Sequence, residues 1–199
     1  MPKDSTDTRE RILTCAKNLF SMQGYEAVAV SDIAEKCDIS TSLIYYHFKD
    51  KESLMRALTA QIGSDLVEPT LAILSGDGSS RERLTAFIEA WVIATYTNRD
   101  LIRIHLRPLT QPESPFAAEC FTYASQTVEA IAAVIANGMY WGEFDPVDPM
   151  VAAECLLSLV NTRVAIGAIE APHDQLIEAN AGQTADFITT LFMDGISTC

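Results

Sequence analysis

The sequence predicts an all-α fold, in which a small N-terminal bundle of three helices is joined by a long helix to a larger, all-helical C-terminal part. Two observations carry this expectation. Apolar residues recur at spacings of three and four along most of the chain, and neither the strict alternation of a half-buried strand nor the turn pair of a hairpin is present. Residues suited to starting and stopping helices stand at the ends of those periodic runs. No internal repeat or low-complexity tract points to another architecture.

In chain order, the first run extends from Asp7 to Ser21. It places Ile12, Leu13, Ala16, Leu19 and Phe20 on one face, opens on the capping pair Asp7 and Glu10, and is ended by Gly24. Val30, Ile33, Ala34 and Cys37 then fall at i, i+3, i+4 and i+7, which predicts a second, short helix. Asp38 supplies a turn. Ser40 is a good N-cap, and Ile39 before it can pack on Ile44 as a hydrophobic staple, so a third short helix starts at once. Two short helices and a tight turn make a helix-turn-helix. Asp50 caps a long fourth run, Lys51 to about Ser75, with Leu54, Leu58, Ile62 and Leu66 on one stripe. After the loop Gly76-Asp77-Gly78-Ser79-Ser80, further helices are expected over residues 81–98, 100–109, 116–137, 149–169 and 174–197. Pro108, Pro112 and Pro115 break the middle of that region. The expected domains are residues 1–50 and 51–199.

Composition bounds the class of protein. With 199 residues, 48% of them hydrophobic and 21% charged, the chain can bury a sizeable core, which argues against wholesale disorder. The longest stretch free of Asp, Glu, Lys and Arg, Ala130 to Gly142, is well short of the ~18 apolar residues of a membrane span, so no membrane partner is expected. Residues 1–11 lack the apolar core of a secretory signal, and a cytoplasmic protein is expected. The five cysteines, Cys15, Cys37, Cys120, Cys155 and Cys199, contain no C-x-x-C pair and no Cys/His spacing suited to zinc. Reduced structural thiols, no metal and no cofactor are therefore expected, with a redox switch or metal site as the alternative.

The net charge of −13 at first argues against nucleic acid as a partner. The total hides a split: residues 1–60 carry eight Lys or Arg against nine Asp or Glu, whereas residues 61–199 carry six against eighteen. All five lysines lie in the first 51 residues. The two parts of the chain face different partners.

In the third helix Ile44 and Phe48 are i and i+4 and face the core, which leaves Thr41, Ser42, Tyr45, Tyr46 and His47 around the outer side. Hydroxyls and an imidazole grouped in this way can hydrogen-bond phosphate oxygens and base edges in a major groove. For any one tyrosine the alternative is packing against the first helix. Lys51 lies just inside the fourth helix, where free amides and a cationic side chain together favour phosphate, and Lys49 is two residues away; otherwise both are solvated surface lysines.

The segments Gly24-Tyr25-Glu26, Asp32-Ile33-Ala34-Glu35 and Ser42-Leu43-Ile44-Tyr45-Tyr46-His47-Phe48-Lys49-Asp50-Lys51-Glu52-Ser53-Leu54 resemble the DNA-binding domain of the tetracycline-repressor (TetR) family. The resemblance covers about residues 8–56. It implies that Tyr45, Tyr46 and His47 contact DNA, that Lys51 clamps a phosphate, and that Thr41 and Ser42 approach the backbone at the helix start; Ser40 and Lys49 beside them are further DNA-binding candidates. The family often has threonines before the second helix, where this chain has Val28-Ala29-Val30, and Ser31 is the substitute hydroxyl. Leu43 occupies a position often held by a small polar residue, and is suited to reading a thymine methyl.

In the C-terminal part, residues 151–166 are apolar on most faces, and Ile177, Ala181, Thr184, Ile188 and Leu191 form a stripe at helical spacing. Two such helices pairing with their symmetry mates make a four-helix dimer interface, as the resemblance also implies; intramolecular core is the alternative on other faces. Trp91, Tyr96, Phe121, Tyr123 and Tyr140 are candidates to line an apolar pocket for an unidentified small-molecule effector, and Arg103, His105 and Arg107 are candidates to meet an anionic effector, with pairing to the acidic surface as their alternative. Ordinary core aromatics are the competing reading. The function expected is that of a sequence-specific DNA-binding transcriptional regulator, a ligand-released repressor acting as a homodimer on a two-fold symmetric operator, and not an enzyme. The chain contains no G-x-S-x-G, H-E-x-x-H, P-loop or dinucleotide glycine motif. The alternatives are a helix-turn-helix used only for a protein partner, and a small-molecule enzyme in the C-terminal domain.

Overall fold

A computed structural model describes residues 5–106, 116–170 and 177–196, with side chains described at 7–106, 116–162 and 181–196. Among these residues all regular structure is helical: α1 (Ser5–Gln23), α2 (Val30–Cys37), α3 (Thr41–His47), α4 (Lys51–Ile62), a π-helical turn (Gly63–Val67), α5 (Glu68–Leu74), α6 (Ser80–Thr97), α7 (Arg99–Leu106), α8 (Ala117–Tyr140), α9 (Pro149–Glu170) and α10 (Ile177–Ile196). The chain divides into two compact units, Met1–Ile62 with Asp100–Cys120, and Gly63–Arg99 with Phe121–Cys199. Residues 51–62 and, of the described residues, 100–106 and 116–120, which the sequence placed with the second domain, lie in the first unit. The predicted break at Pro108, Pro112 and Pro115, and Arg107 to Leu109 of the predicted helix 100–109, lie outside the described residues.

The first unit is built as its sequence pattern demands. Ile12, Leu13, Ala16 and Phe20 of α1, Ile33, Ala34 and Cys37 of α2, Ile44 of α3, Phe48, and Leu54 and Leu58 of α4 are all buried, each fully buried aliphatic or aromatic side chain contributing roughly 1.5–3 kcal/mol. Gly24 ends α1 at φ 92°, where its amide donates to the Phe20 carbonyl at 2.9 Å. Asp38 provides the turn between α2 and α3 in the left-handed region, at φ 53° and ψ 50°, a conformation Asp reaches more readily than most residues. The Ser40 Oγ accepts from the Leu43 amide at 3.2 Å and so starts α3. Asp50 and Ser53 cap α4 reciprocally: the Ser53 amide donates to Asp50 Oδ1 at 2.7 Å and the Asp50 amide donates to Ser53 Oγ at 3.0 Å.

The expected single helix from Lys51 to Ser75 is instead divided by the π-helical turn at Gly63–Val67. Pro69 is the reason: it has no amide to donate to the carbonyl four residues earlier, and its ring excludes that carbonyl, so the ladder shifts register ahead of it. The expectation of five reduced thiols is also corrected, since Cys15 and Cys37 are paired as a disulfide across α1 and α2. Cys120 and Cys155 are free.

In the second unit α6 is the central helix, packed on α5, α9 and α10. It buries Leu84, Phe87, Ile88, Trp91, Val92, Thr95 and Tyr96. Its N-terminus is closed twice. Ser79 and Glu82 form a capping box, and the Glu143 carboxylate accepts from the amides of Ser80 and Arg81 at 3.1 and 3.0 Å. The predicted stripe on α10 is mainly core, because Ala181, Thr184 and Ile188 are buried while Leu191 is exposed; the side chain of Ile177 is outside the described residues.

Candidate functional site

Helix α3 is too short for its backbone to be self-sufficient, and its position comes from its two ends and one anchor. Ser40 caps the start, the Phe48 amide donates back to the Ile44 carbonyl at 2.8 Å, and Ile44 and Phe48 are buried. Arg9 of α1 lies over the Phe48 ring, 5.0 Å from its centroid. The opposite side of α3 faces water. Tyr45 and Tyr46 are 54% and 79% exposed, Thr41 and Ser42 are exposed, and Leu43 and His47 are half-buried. At these exposures neither tyrosine is a core residue. Tyr46 and His47 meet edge to face with centroids 5.2 Å apart, so each restricts the other's rotamers. One face thus carries two phenolic hydroxyls, an imidazole, two small hydroxyls and a leucine, a mixture suited to base edges and phosphates.

The remaining predicted interface residues are less uniform. Ser40 is exposed but its oxygen already serves as the helix cap. Ser31 is exposed, 3.4 Å from Asp32 Oδ1. The Asp32 carboxylate in turn accepts from the Ala29 amide at 2.8 Å and caps α2, so this helix is capped from within rather than by the hydroxyl that Val28-Ala29-Val30 lacks. Lys49 is exposed.

Lys51 differs from the expectation of a free phosphate clamp. Its Nζ donates to the carbonyls of Tyr25 and Val28 at 2.9 and 3.1 Å, and lies 4.2 Å from the centre of the Tyr25 ring. Two of its three ammonium protons hold the segment between α1 and α2 to the start of α4. Tyr25 also packs on Phe20 and, edge to face at 5.0 Å, on Phe116. Burial, and then the nearby carboxylates of Glu52, Glu26 and Asp50, push its phenol above the usual tyrosine value. Tyr25 was quoted in the sequence only as part of a motif. That its ring would lie 4.2 Å from the ammonium of a lysine of α4 could not be inferred without the fold.

The candidate effector residues are divided between the two units. Trp91 and Tyr96 are buried in the second unit, where Trp91 Nε1 donates to Asn161 Oδ1 at 3.1 Å and the Tyr96 hydroxyl lies 3.4 Å from the Thr184 hydroxyl. Tyr123 is half-buried in the same unit, against Gly63, where any side chain would displace its hydroxyl. Phe121 is exposed, and Tyr140 is 79% exposed and stacked edge to face on Trp141, so Tyr140 lines no interior site in this conformation. It stands on the last turn of α8, where helical spacing continues but packing has ended. Arg103 and His105 belong to the first unit. Arg103 is half-buried and lies 3.9 Å from Asp100. His105 is buried with Nδ1 unpartnered, and desolvation lowers its pKa to about 4, which keeps the imidazole neutral.

The two helices that the sequence offered for pairing carry outward apolar strips, of which Phe187 was not singled out in the sequence. Val151, Cys155 and Leu159 follow one another at i, i+4 and i+8 on α9, and Phe187 and Leu191 at i and i+4 on α10, all exposed. Their helical spacing is legible in the sequence, but their separation from the buried set is not. Among the described residues no helix is long and apolar enough to cross a membrane, and no three His, Cys, Asp or Glu residues are grouped as metal ligands.

Comparison with known proteins matches residues 12–58 to the model for bacterial regulatory proteins of the tetR family, and residues 77–164 to the tetracyclin repressor-like C-terminal domain. The HTH-type transcriptional regulator UidR of Escherichia coli K12 is 36% identical over 61 residues, which is 31% of this chain and 31% of that protein. The chain thus matches about a third of the length of such curated relatives. Among solved structures, a TetR/AcrR-family transcriptional regulator from Thermobifida fusca is 29% identical, with a TM-score of 0.68 over 95% of this chain and 98% of that one. A ketosteroid transcriptional regulator of Mycobacterium tuberculosis has the same fold, with a TM-score of 0.79 at 20% identity over 96% of each chain.

Proposed function

The chain belongs to the TetR family of bacterial regulatory proteins, and from that premise we propose that it is a cytoplasmic, sequence-specific DNA-binding regulator, a homodimeric repressor released from a two-fold symmetric operator by a small-molecule effector. The observation that carries the reading is the exposed face of α3, where Tyr45, Tyr46 and His47 stand outward on a helix fixed by Ile44, Phe48 and the Ser40 cap. In this reading those three side chains and Leu43 read base edges, while Thr41, Ser42, Ser31 and Lys49 meet phosphates. Lys51 acts chiefly by holding the Tyr25–Val28 segment, with one proton left for a phosphate. The enrichment of lysine in the first 51 residues supports this polarity, and the acidic remainder of the chain limits non-specific adsorption.

A single seven-residue recognition helix gains useful affinity by acting in pairs. The exposed strips of α9 and α10 support pairing with a second copy, since apolar surfaces at helical spacing are suited to a four-helix interface. The two recognition helices then need a separation of about 34–36 Å, or a multiple, to enter successive major grooves. Effector binding in the second unit, near Trp91, Tyr96 and Tyr123, acts by favouring a dimer with another separation. A coupling of ~1–3 kcal/mol corresponds to 5- to 150-fold weaker operator binding.

The test is selection of bound duplexes from a random-sequence library, followed by fluorescence anisotropy at two salt concentrations. The expected result is a two-fold symmetric site bound in a salt-dependent manner, with Tyr46→Ala weakening binding without loss of helical content. Failure to enrich any sequence would overturn the proposal.

A further inference from the structure

We propose that Cys15 and Cys37 form a reversible thiol–disulfide pair that fastens α1 to α2. The two residues are 22 apart in sequence and their Cα atoms 6.1 Å apart, within the span a disulfide bridges without backbone movement. Their surroundings differ. Cys15 is half-buried, whereas Cys37 is buried. The open form is accommodated by the same joint, because Cys37 Sγ lies 3.6 Å from the Arg11 carbonyl, within reach of a thiol donor. The Arg11 guanidinium also donates to the Cys37 carbonyl at 3.2 Å, so α1 and α2 stay joined whether the sulfurs are bonded or not.

The oxidant is a low-molecular-weight disulfide. The half-buried Cys15 thiolate attacks one of its sulfurs, forms a mixed disulfide and expels one small thiolate. The Cys37 thiolate then attacks the Cys15 sulfur, closes the intramolecular bond and expels the second thiolate. The two protons lost by Cys15 and Cys37 neutralise the two departing thiolates. The protein loses two electrons and the small disulfide gains them, and excess small thiol reverses both steps. The bond removes loop-closure entropy from the unfolded chain, which for 22 residues corresponds to an unfolded population lower by up to about 300-fold. The consequence for DNA reading rests on the function proposed above, as does the reducing compartment in which such bonds are typically transient; the thiol chemistry does not.

The experiment equilibrates the full-length protein across ratios of reduced to oxidised glutathione, quenches with acid, labels free thiols with a maleimide and reads the peptides by mass. Cys15 and Cys37 are expected to lose label together over one two-electron transition, with Cys120 and Cys155 still labelled. Amides of α1 and α2 that exchange through unfolding are expected to slow by up to about 300-fold in the oxidised form. Cys15→Ser should retain its helical content and lose both responses. Continued labelling of both cysteines at the most oxidising ratio, pairing with other cysteines, a bond that stays closed at the most reducing ratio, or unchanged exchange would each overturn the proposal. Operator binding is measured in the same buffers. Its absence at every ratio, with the thiol transition intact, would count against the DNA-reading function and leave the redox pair standing.

Discussion

Replacing His105 by leucine isolates one titration in the stability of the first unit. The imidazole is only 6% exposed, its Nδ1 has no partner, and burial lowers its pKa to about 4. In the unfolded chain the same group titrates near 6.5. Between these values the unfolded chain binds a proton that the folded one does not, so stability falls as pH drops below about 6.5 and levels off near 4. Linkage over that window gives a loss of about 2 kcal/mol at pH 5, against almost nothing at pH 7.5. His105→Leu should abolish this share of the pH dependence. It should cost little at pH 7.5, since it replaces an unpartnered polar group by an apolar one of similar size. The assay is urea unfolding followed by circular dichroism at pH 7.5 and 5.0, at one protein concentration, for both proteins. Carboxylates and the other histidines contribute equally to the two and cancel in the difference. Identical pH dependence in wild type and variant would refute the reasoning, because it would mean that the buried imidazole takes up its proton without unfolding.

Lys51→Met keeps an aliphatic stem but leaves the Tyr25 and Val28 carbonyls without their donor, so chemical denaturation should show a loss of ~1–3 kcal/mol; unchanged stability would restore Lys51 as a free phosphate ligand. In Gly138→Ala the new Cβ would lie 2.2 Å from the Phe144 ring and 3.0 Å from Ser80 Cβ. The overpacking cost of ~1–3 kcal/mol outweighs the ~1 kcal/mol gained in helix propensity, and thermal unfolding should shift down, not up. Ser40→Ala removes the oxygen that accepts from the Leu43 amide, which should cost about 1 kcal/mol in a denaturation experiment and weaken operator binding more than non-specific binding. Burial and then Glu119 push the Cys120 thiol up to about 11, so at pH 8 iodoacetamide followed by mass spectrometry should leave Cys120 unmodified in the folded protein and modify it only once urea unfolds the chain; modification in the folded state would place Cys120 at the surface.

Much of this protein is determined locally, and those parts were legible in the chain itself. Gly24, Asp38, Ser40 and Asp50 act through their own backbone or through amides two or three residues away, so the helix-turn-helix, its boundaries and the outward face of α3 follow from spacing and cap chemistry. The register shift before Pro69 was equally local and was there to be read, since a proline inside a helical run always leaves a carbonyl unserved. What spacing does not carry is the choice of partner across the fold. Ala181 and Leu191 share one stripe, yet one is core and the other surface, because burial depends on whether α6 stands opposite. Lys51 and Tyr25, Cys15 and Cys37, and Glu143 with the start of α6 meet only once helices distant in sequence have docked. Periodicity states which residues share a face; only the tertiary structure decides what that face meets, and with it whether a lysine serves the operator or the fold.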